Sequence, residues 1–130
     1  MIRQRAVFGS TLALLLPVIL GGCSDSTGVN CMAVVPTAIT VVLDHALTGA
    51  RLETDDASGY VQSASSTYLL QQAQDTSVLY ATFNKPGTYT VVVEKPGFFS
   101  WRQDGVKIVK ENACFVKTRD LTARLVPRGN

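Results

Sequence analysis

One histidine, His45, and three cysteines at positions 23, 31 and 114 are all that this 130-residue chain offers of the side chains that most often ligate metals or act as nucleophiles. The cysteines are far apart rather than in close-spaced pairs, so a structural zinc site has too few ligands. A dinucleotide fingerprint and a phosphate-cradling P-loop are both missing, as is a Gly-x-Ser-x-Gly elbow, which removes the commonest nucleotide and serine-hydrolase signatures. No uninterrupted apolar run approaches the roughly 20 residues that a spanning helix needs. Twelve basic residues against ten acidic ones give a formal charge of only +2. Nucleic-acid binding, which needs a basic surface to displace counterions, therefore has no support from composition. No cofactor is expected.

What is present begins at the N-terminus. Arg3 and Arg5 precede the apolar run Thr11 to Leu20, with Pro17 inside it, and no further charge occurs until Asp25. A positive start, a short apolar core and small residues at its end describe an export signal. Leu20-Gly21-Gly22-Cys23 then resembles the lipobox of bacterial lipoproteins. That resemblance implies cleavage after Gly22 and acylation of the Cys23 sulfur, which becomes the first residue and holds the protein on a membrane. Ser24 in second place resembles the residue that directs such proteins to the outer membrane of Gram-negative cells, facing the periplasm. On this reading residues 1–22 are a lipoprotein signal, residues 23–30 are the lipidated cysteine and a short polar tether, and residues 31–130 are one domain. Without residues 1–22 the charges balance at 10 of each sign. The remaining thiols, Cys31 and Cys114, are then an even pair in an oxidising compartment and are expected to form a disulfide.

Beyond the tether the hydrophobic pattern has a period of two. Ile39, Val41 and Leu43 share one face of an extended segment, as do Tyr89, Val91 and Val93 of another. Gly49 is expected in a turn, and Arg51 to Thr54 as a short second strand. Tyr68 to Gln72 reads as a strand, or Leu69 to Gln74 as a helical turn, and Val78 to Phe83 as a strand. Pro86-Gly87 matches the two central positions of a type II turn, and Lys95-Pro96-Gly97 reads as a second turn. Asp104-Gly105 marks a hairpin. Cys114 to Val126 changes parity and reads as one strand bulged near Arg119 and Asp120. Seven or eight short strands with frequent turn signals and no amphipathic helix predict an all-β, antiparallel Greek-key β-sandwich of about seven strands.

The stretches "GTYTVVVEKPGF" (87–98), "GVKIVKENACFVKTRDLTARLVP" (105–127) and "ITVVLDHALTGARL" (39–52) resemble bacterial carboxypeptidase regulatory-like domains, which have a transthyretin-like sandwich. The resemblance implies an add-on or surface module. An enzyme on the same fold, hydroxyisourate hydrolase, uses more than one histidine, an arginine and a Tyr-Arg-Gly-Ser ending. Here the chain closes on Pro127-Arg128-Gly129-Asn130, and that catalytic set is absent.

Asp44 and His45 could contribute to a triad only with a serine in the right geometry, and His45 is expected in a solvated turn. Glu53, Asp55 and Asp56 lack the regular spacing of a calcium loop. Phe98, Phe99 and Trp101, with Tyr80, Phe83 and Tyr89, offer an aromatic platform. Strand alternation cannot bury Phe98, Phe99 and Trp101 on one face, so Phe99 and Trp101 are the candidate ligand contacts. The expected role is a lipid-anchored, noncatalytic envelope module with a structural or protein-interaction task. The alternative is a carbohydrate-binding accessory domain using Phe99 and Trp101.

Overall fold

The computed structural model describes residues 31, 33–75 and 77–129, so the expected export signal, Cys23 and the expected tether lie outside the described residues. Period-two patterning gives eight strands: β1 (Thr37–His45), β2 (Ser58–Gln62), β3 (Thr67–Leu69), β4 (Gln71–Gln72), β5 (Val78–Thr82), β6 (Gly87–Glu94), β7 (Trp101–Ile108) and β8 (Arg119–Leu125). They form two four-stranded sheets, in the orders β4-β5-β1-β8 and β3-β2-β6-β7. Among the described residues there is no helix. The all-β sandwich read from the sequence is thus the fold.

The core lies between the sheets. Val41, Leu43, Leu121, Ala123 and Leu125 from one sheet meet Val61, Tyr89, Val91, Val93, Val106 and Ile108 from the other. Each fully buried aliphatic side chain contributes about 1.5–3 kcal/mol relative to exposure. In β1 an extra residue at Ala38 shifts the register against β5, which lets Ala38 and Ile39 both point inward. At one end Tyr68 and Phe83 stack at 4.3 Å, with Tyr89 tilted against Phe83 at 4.9 Å. The buried Tyr89 hydroxyl donates to the Lys85 carbonyl at 2.6 Å, giving its polar tip a partner.

Several local expectations are corrected. The ladder between β1 and β8 is parallel, while the other strand pairs are antiparallel. The loop after β7 stays at one end of the sandwich, so β8 must leave from the end where β1 also begins. Arg51 makes only an isolated bridge to Asp44, and no second strand forms there. Tyr68 to Gln72 is neither one strand nor a helical turn. It splits into β3 in one sheet and β4 in the other, with buried Leu70 at the crossing.

The two Lys-Pro-Gly segments differ as well. Gly97 has φ 88° and Phe98 N–H donates to Lys95 O at 3.0 Å, as a type II turn requires. Gly87 has φ 159° and opens β6 instead, so no type II turn forms there. Asp104-Gly105 is not a hairpin. Between the pairs Val91↔Gln103 and Tyr89↔Val106, β7 carries one extra residue, and Gly105 at φ 70° makes this a glycine bulge inside one long strand. That bulge changes the parity of β7, which is why Val106 and Ile108 face the core. Finally, the parity change after Cys114 is no bulge within a strand. Residues 111–118 form an irregular loop tied by a Lys110↔Val116 bridge, and β8 starts only at Arg119.

Candidate functional site at the far end of the sandwich

Cys31 and Cys114 are joined, with Cα atoms 5.2 Å apart and a separation of 83 positions in sequence. This bond marks one end of the molecule, where Asn84 also clasps the loop: its Nδ2 donates to Cys114 O at 2.7 Å and its Oδ1 accepts from Val116 N at 3.0 Å. β1 and β8 both run away from this disulfide end and finish together at the far end. β6 also arrives there, through its antiparallel pairing with β7. Three segments therefore converge at the far end: the turn after β1, the Lys95-Pro96-Gly97 turn with the two phenylalanines, and residues 126–129.

His45 holds the first of these. Its Nδ1 accepts from the backbone N–H of Leu47 at 3.2 Å and of Thr48 at 3.3 Å. Gly49 supplies φ 77° and its N–H closes the turn onto His45 O at 2.8 Å. The imidazole packs edge-on against Phe98, with ring centroids 5.7 Å apart. This histidine is used as a turn clamp, and nothing sets it beside Asp44 and a serine as a triad would demand.

The C-terminal segment is stitched to the second turn. Phe98 bridges Pro127, Phe99 N–H donates to Val126 O at 2.9 Å, and Arg128 N–H donates to Gly97 O at 2.9 Å. The Arg128 side chain adds a bond from Nε to Phe98 O at 3.2 Å, and its guanidinium lies 5.4 Å above the Phe99 ring. That distance is within range of a cation–π attraction.

Beside these contacts lies a groove of about 330 Å³, walled by Asp56, Glu94, Lys95, Phe98, Ser100 and Arg128. The Lys95 ammonium donates to the Asp56 carboxylate and to Glu53 O at 2.9 Å. The hydrogen bond from Lys95 holds the Asp56 carboxyl below its ordinary value of 3.8. Ser100 Oγ donates to Glu94 Oε1 at 3.2 Å. Arg128 takes part in none of the ion pairs found among the described residues. The groove thus combines hydroxyls, a carboxylate and a guanidinium on a rigid frame, an arrangement suited to holding a polar ligand or a partner's side chains.

The six aromatic residues of the expected platform are dispersed. Phe83 and Tyr89 pack against each other in the core at the disulfide end, and Tyr80 bonds Gln71 through its hydroxyl at 3.2 Å. Trp101 sits opposite Val93, half-buried, and packs against the core. Phe99 is 53% exposed and stands under Arg128. The acidic turn of Glu53, Asp55 and Asp56 is used through Lys95. Among the described residues no group of three or more His, Cys, Asp or Glu is placed to hold a metal ion. Sequence reasoning did not single out Glu94, Ser100 or Arg128. Only the Pro96-Gly97 turn before two aromatics hinted at a site there, because Arg128 arrives through long-range pairing.

Neither a model of a known protein family nor a curated protein sequence matches the chain.

Proposed function

We propose that this chain is a noncatalytic cell-envelope module, held on a membrane by lipid on Cys23, that meets an envelope protein with the far end of its sandwich. The observation that carries this reading is the opposition of the two ends. The tether enters at Cys31, stapled to Cys114, whereas the exposed Leu47 and Phe99, with Arg128, are carried by the other ends of β1, β6 and β8. A nine-residue strand such as β1 separates the two ends by about 30 Å. Large apolar side chains standing beside an arginine at a rigid tip have the composition of an interface core. The sandwich and its two-sheet arrangement are compatible with the carboxypeptidase regulatory-like resemblance, whose members serve as such modules.

The test is site-specific photo-crosslinking in cells of the parent species, with the photoreactive residue at position 99 or, as control, at Thr88 on β6. A discrete adduct from position 99 that disappears in Arg128→Glu is expected. Equal labelling from both positions would refute the assignment of the far end. Cys23→Ala should release the protein from membranes, and unchanged fractionation would refute the anchor.

A second reading has support from the groove itself. Ser58, Glu94, Ser100 and Arg128 present hydroxyl, carboxylate and guanidinium groups close to Phe99, as a sugar site would. Glycan-array binding lost in Phe99→Ala would favour it, with Trp101→Ala as the companion variant. The absence of any such binding would end it.

A further inference from the structure

Although the charges nearly balance, they are not evenly placed. Around the disulfide end stand Lys85, Lys107, Lys110, Lys117 and Arg119, all exposed, against the acids Glu111 and Asp120. Asp120 is already engaged by the Thr40 hydroxyl on the outer face of its sheet. Asp44, Glu53, Asp55, Asp56 and Glu94 lie toward the far end, where Arg51, Lys95, Arg124 and Arg128 nearly balance them. The excess of positive charge therefore gathers at the end that carries Cys31.

Lys107, Lys117 and Arg119, with Val109 and Thr118, line a groove of about 270 Å³ between the edges of β7 and β8. Its walls are held in place. Lys117 N–H donates to Val109 O at 2.8 Å, Arg119 Nη1 donates to Lys107 O at 3.3 Å, and Thr118 Oγ1 donates to Thr37 O at 2.6 Å. The disulfide pins the same loop. The Arg119 guanidinium and the backbone that carries Lys107 and Lys117 are thus fixed before an anion binds, which lowers the ordering cost of binding. The same end also exposes Val34 at 62%, Val35 at 57% and Val109 at 52%. Exposed valines interspersed with lysines describe a surface that meets both headgroup charge and the upper part of an apolar layer.

We infer that this basic end is a membrane-facing surface that binds the anionic headgroups of the bilayer carrying the anchor. The inference rests on the proposed attachment at Cys23. From Cys23 to Cys31 the chain spans at most about 28 Å, so the end that carries Cys31 can reach the headgroups while the far end, whose charges nearly balance, points away. Contact is needed for the attraction to act, because at physiological salt it is screened beyond about 8 Å. The consequence is orientation: an upright domain with the Phe99 tip outward, rather than one tumbling on its tether.

The experiment uses the full chain carrying Cys23→Ala, so that no lipid contributes, and sediments it with vesicles of phosphatidylcholine alone or mixed with phosphatidylglycerol. Binding to the anionic vesicles that weakens as salt is raised is expected. In Lys107→Glu/Lys117→Glu/Arg119→Glu it should fall by at least about tenfold, from the contribution of each cation near a charged surface. Lys110→Glu/Lys117→Glu, which spares the bond between Arg119 and Lys107, should show an intermediate loss, and Arg124→Glu at the opposite end should show none. The N-terminal arginines and apolar run are common to every variant, so the difference between variants reads the basic end alone. Undiminished binding by the charge-reversed variants would overturn the inference. So would tighter binding to soluble single-stranded DNA or inorganic phosphate than to the anionic vesicles. Mass spectrometry of the wild-type chain tests the anchor separately: an unacylated Cys23 with intact vesicle binding would refute the anchor and leave the surface standing.

Discussion

Replacing Cys114 with serine is the most quantitative perturbation the structure offers. The bond closes a loop of 83 residues that contains β1 to β7 and excludes β8. Opening a loop of that length returns about 4.5 kcal/mol of chain entropy to the unfolded ensemble. The native loop has other ties. Asn84 grips Cys114 O and Val116 N, and Asn112 Oδ1 accepts from the N–H of Cys114 at 2.8 Å and of Phe115 at 2.9 Å. The folded form is therefore expected to keep its shape, with the loss expressed through the unfolded state. For a domain of this length the melting temperature should fall by about 20 °C. Calorimetry of Cys114→Ser and of the Cys31→Ser/Cys114→Ser pair, with wild type in the presence and absence of reductant, measures this directly. All three thiol-reduced states should melt together. A shift below about 5 °C, with the bond verified by mass in the oxidised wild type, would refute the entropic account.

Three further perturbations probe the sheets. A methyl group at Gly59 would come within 2.2 Å of Val92 O and 2.8 Å of Leu70 Cδ1, so Gly59→Ala should cost about 1–3 kcal/mol in urea unfolding, and a neutral result would contradict the close approach of β2 to β6. Gly105 has φ 70° and open space around it, so Gly105→Val should cost more than Gly105→Asn by about 1 kcal/mol, whereas equal costs would show that the bulge does not need the left-handed conformation. Burial raises the Tyr89 phenol above its ordinary value of 10.0, so the folded state holds this proton more tightly than the unfolded one. Its contribution is therefore complete below pH 10 and lost as pH climbs through the raised value. Tyr89→Phe should remove the bond to Lys85 O at a cost of about 1 kcal/mol and flatten the alkaline fall in stability; an unchanged alkaline limb would refute that role.

β1 and β6 were readable because each buries one face continuously, and period two survives in Ile39, Val41 and Leu43 and in Tyr89, Val91 and Val93. Other elements were not, for reasons that are tertiary. Leu70 is buried because its N–H bonds Gly59 O at 2.9 Å, just where the chain passes from one sheet to the other, and no local periodicity encodes such a transfer. Asp104-Gly105 signals a positive φ in either a hairpin or a bulge. The continuation of β7 against β6 on both sides of Gly105 decides for the bulge. The paired Lys-Pro-Gly segments show the same limit, since only the second is closed by a turn hydrogen bond. Of the far-end groove only the Pro96-Gly97 turn was legible. The groove depends on Pro127 pairing with Phe98, 29 residues away in sequence. By contrast, the cysteine pair was predicted from compartment and count, and the structure brings Cys31 and Cys114 together.

The position of that pair also governs how force from an anchored tether would enter the domain. β1 is an interior strand, hydrogen-bonded to β5 on one side and β8 on the other, and its N-terminal end lies on the side of the proposed tether. Without a cross-link, tension on the tether would load Thr37 first and draw β1 out of the sheet from its end, the geometry in which ladder bonds break one after another. With Cys31 bonded to Cys114, the load passes into the loop between β7 and β8 before it reaches Thr37. It is then shared between two strands that belong to different sheets. Thr118, whose hydroxyl bonds Thr37 O, and Asn84, which holds both Cys114 O and Val116 N, spread it further into β1 and the segment between β5 and β6. The same bond that restricts the unfolded chain therefore also shields the central strand of the folded one from a pull on its N-terminal side.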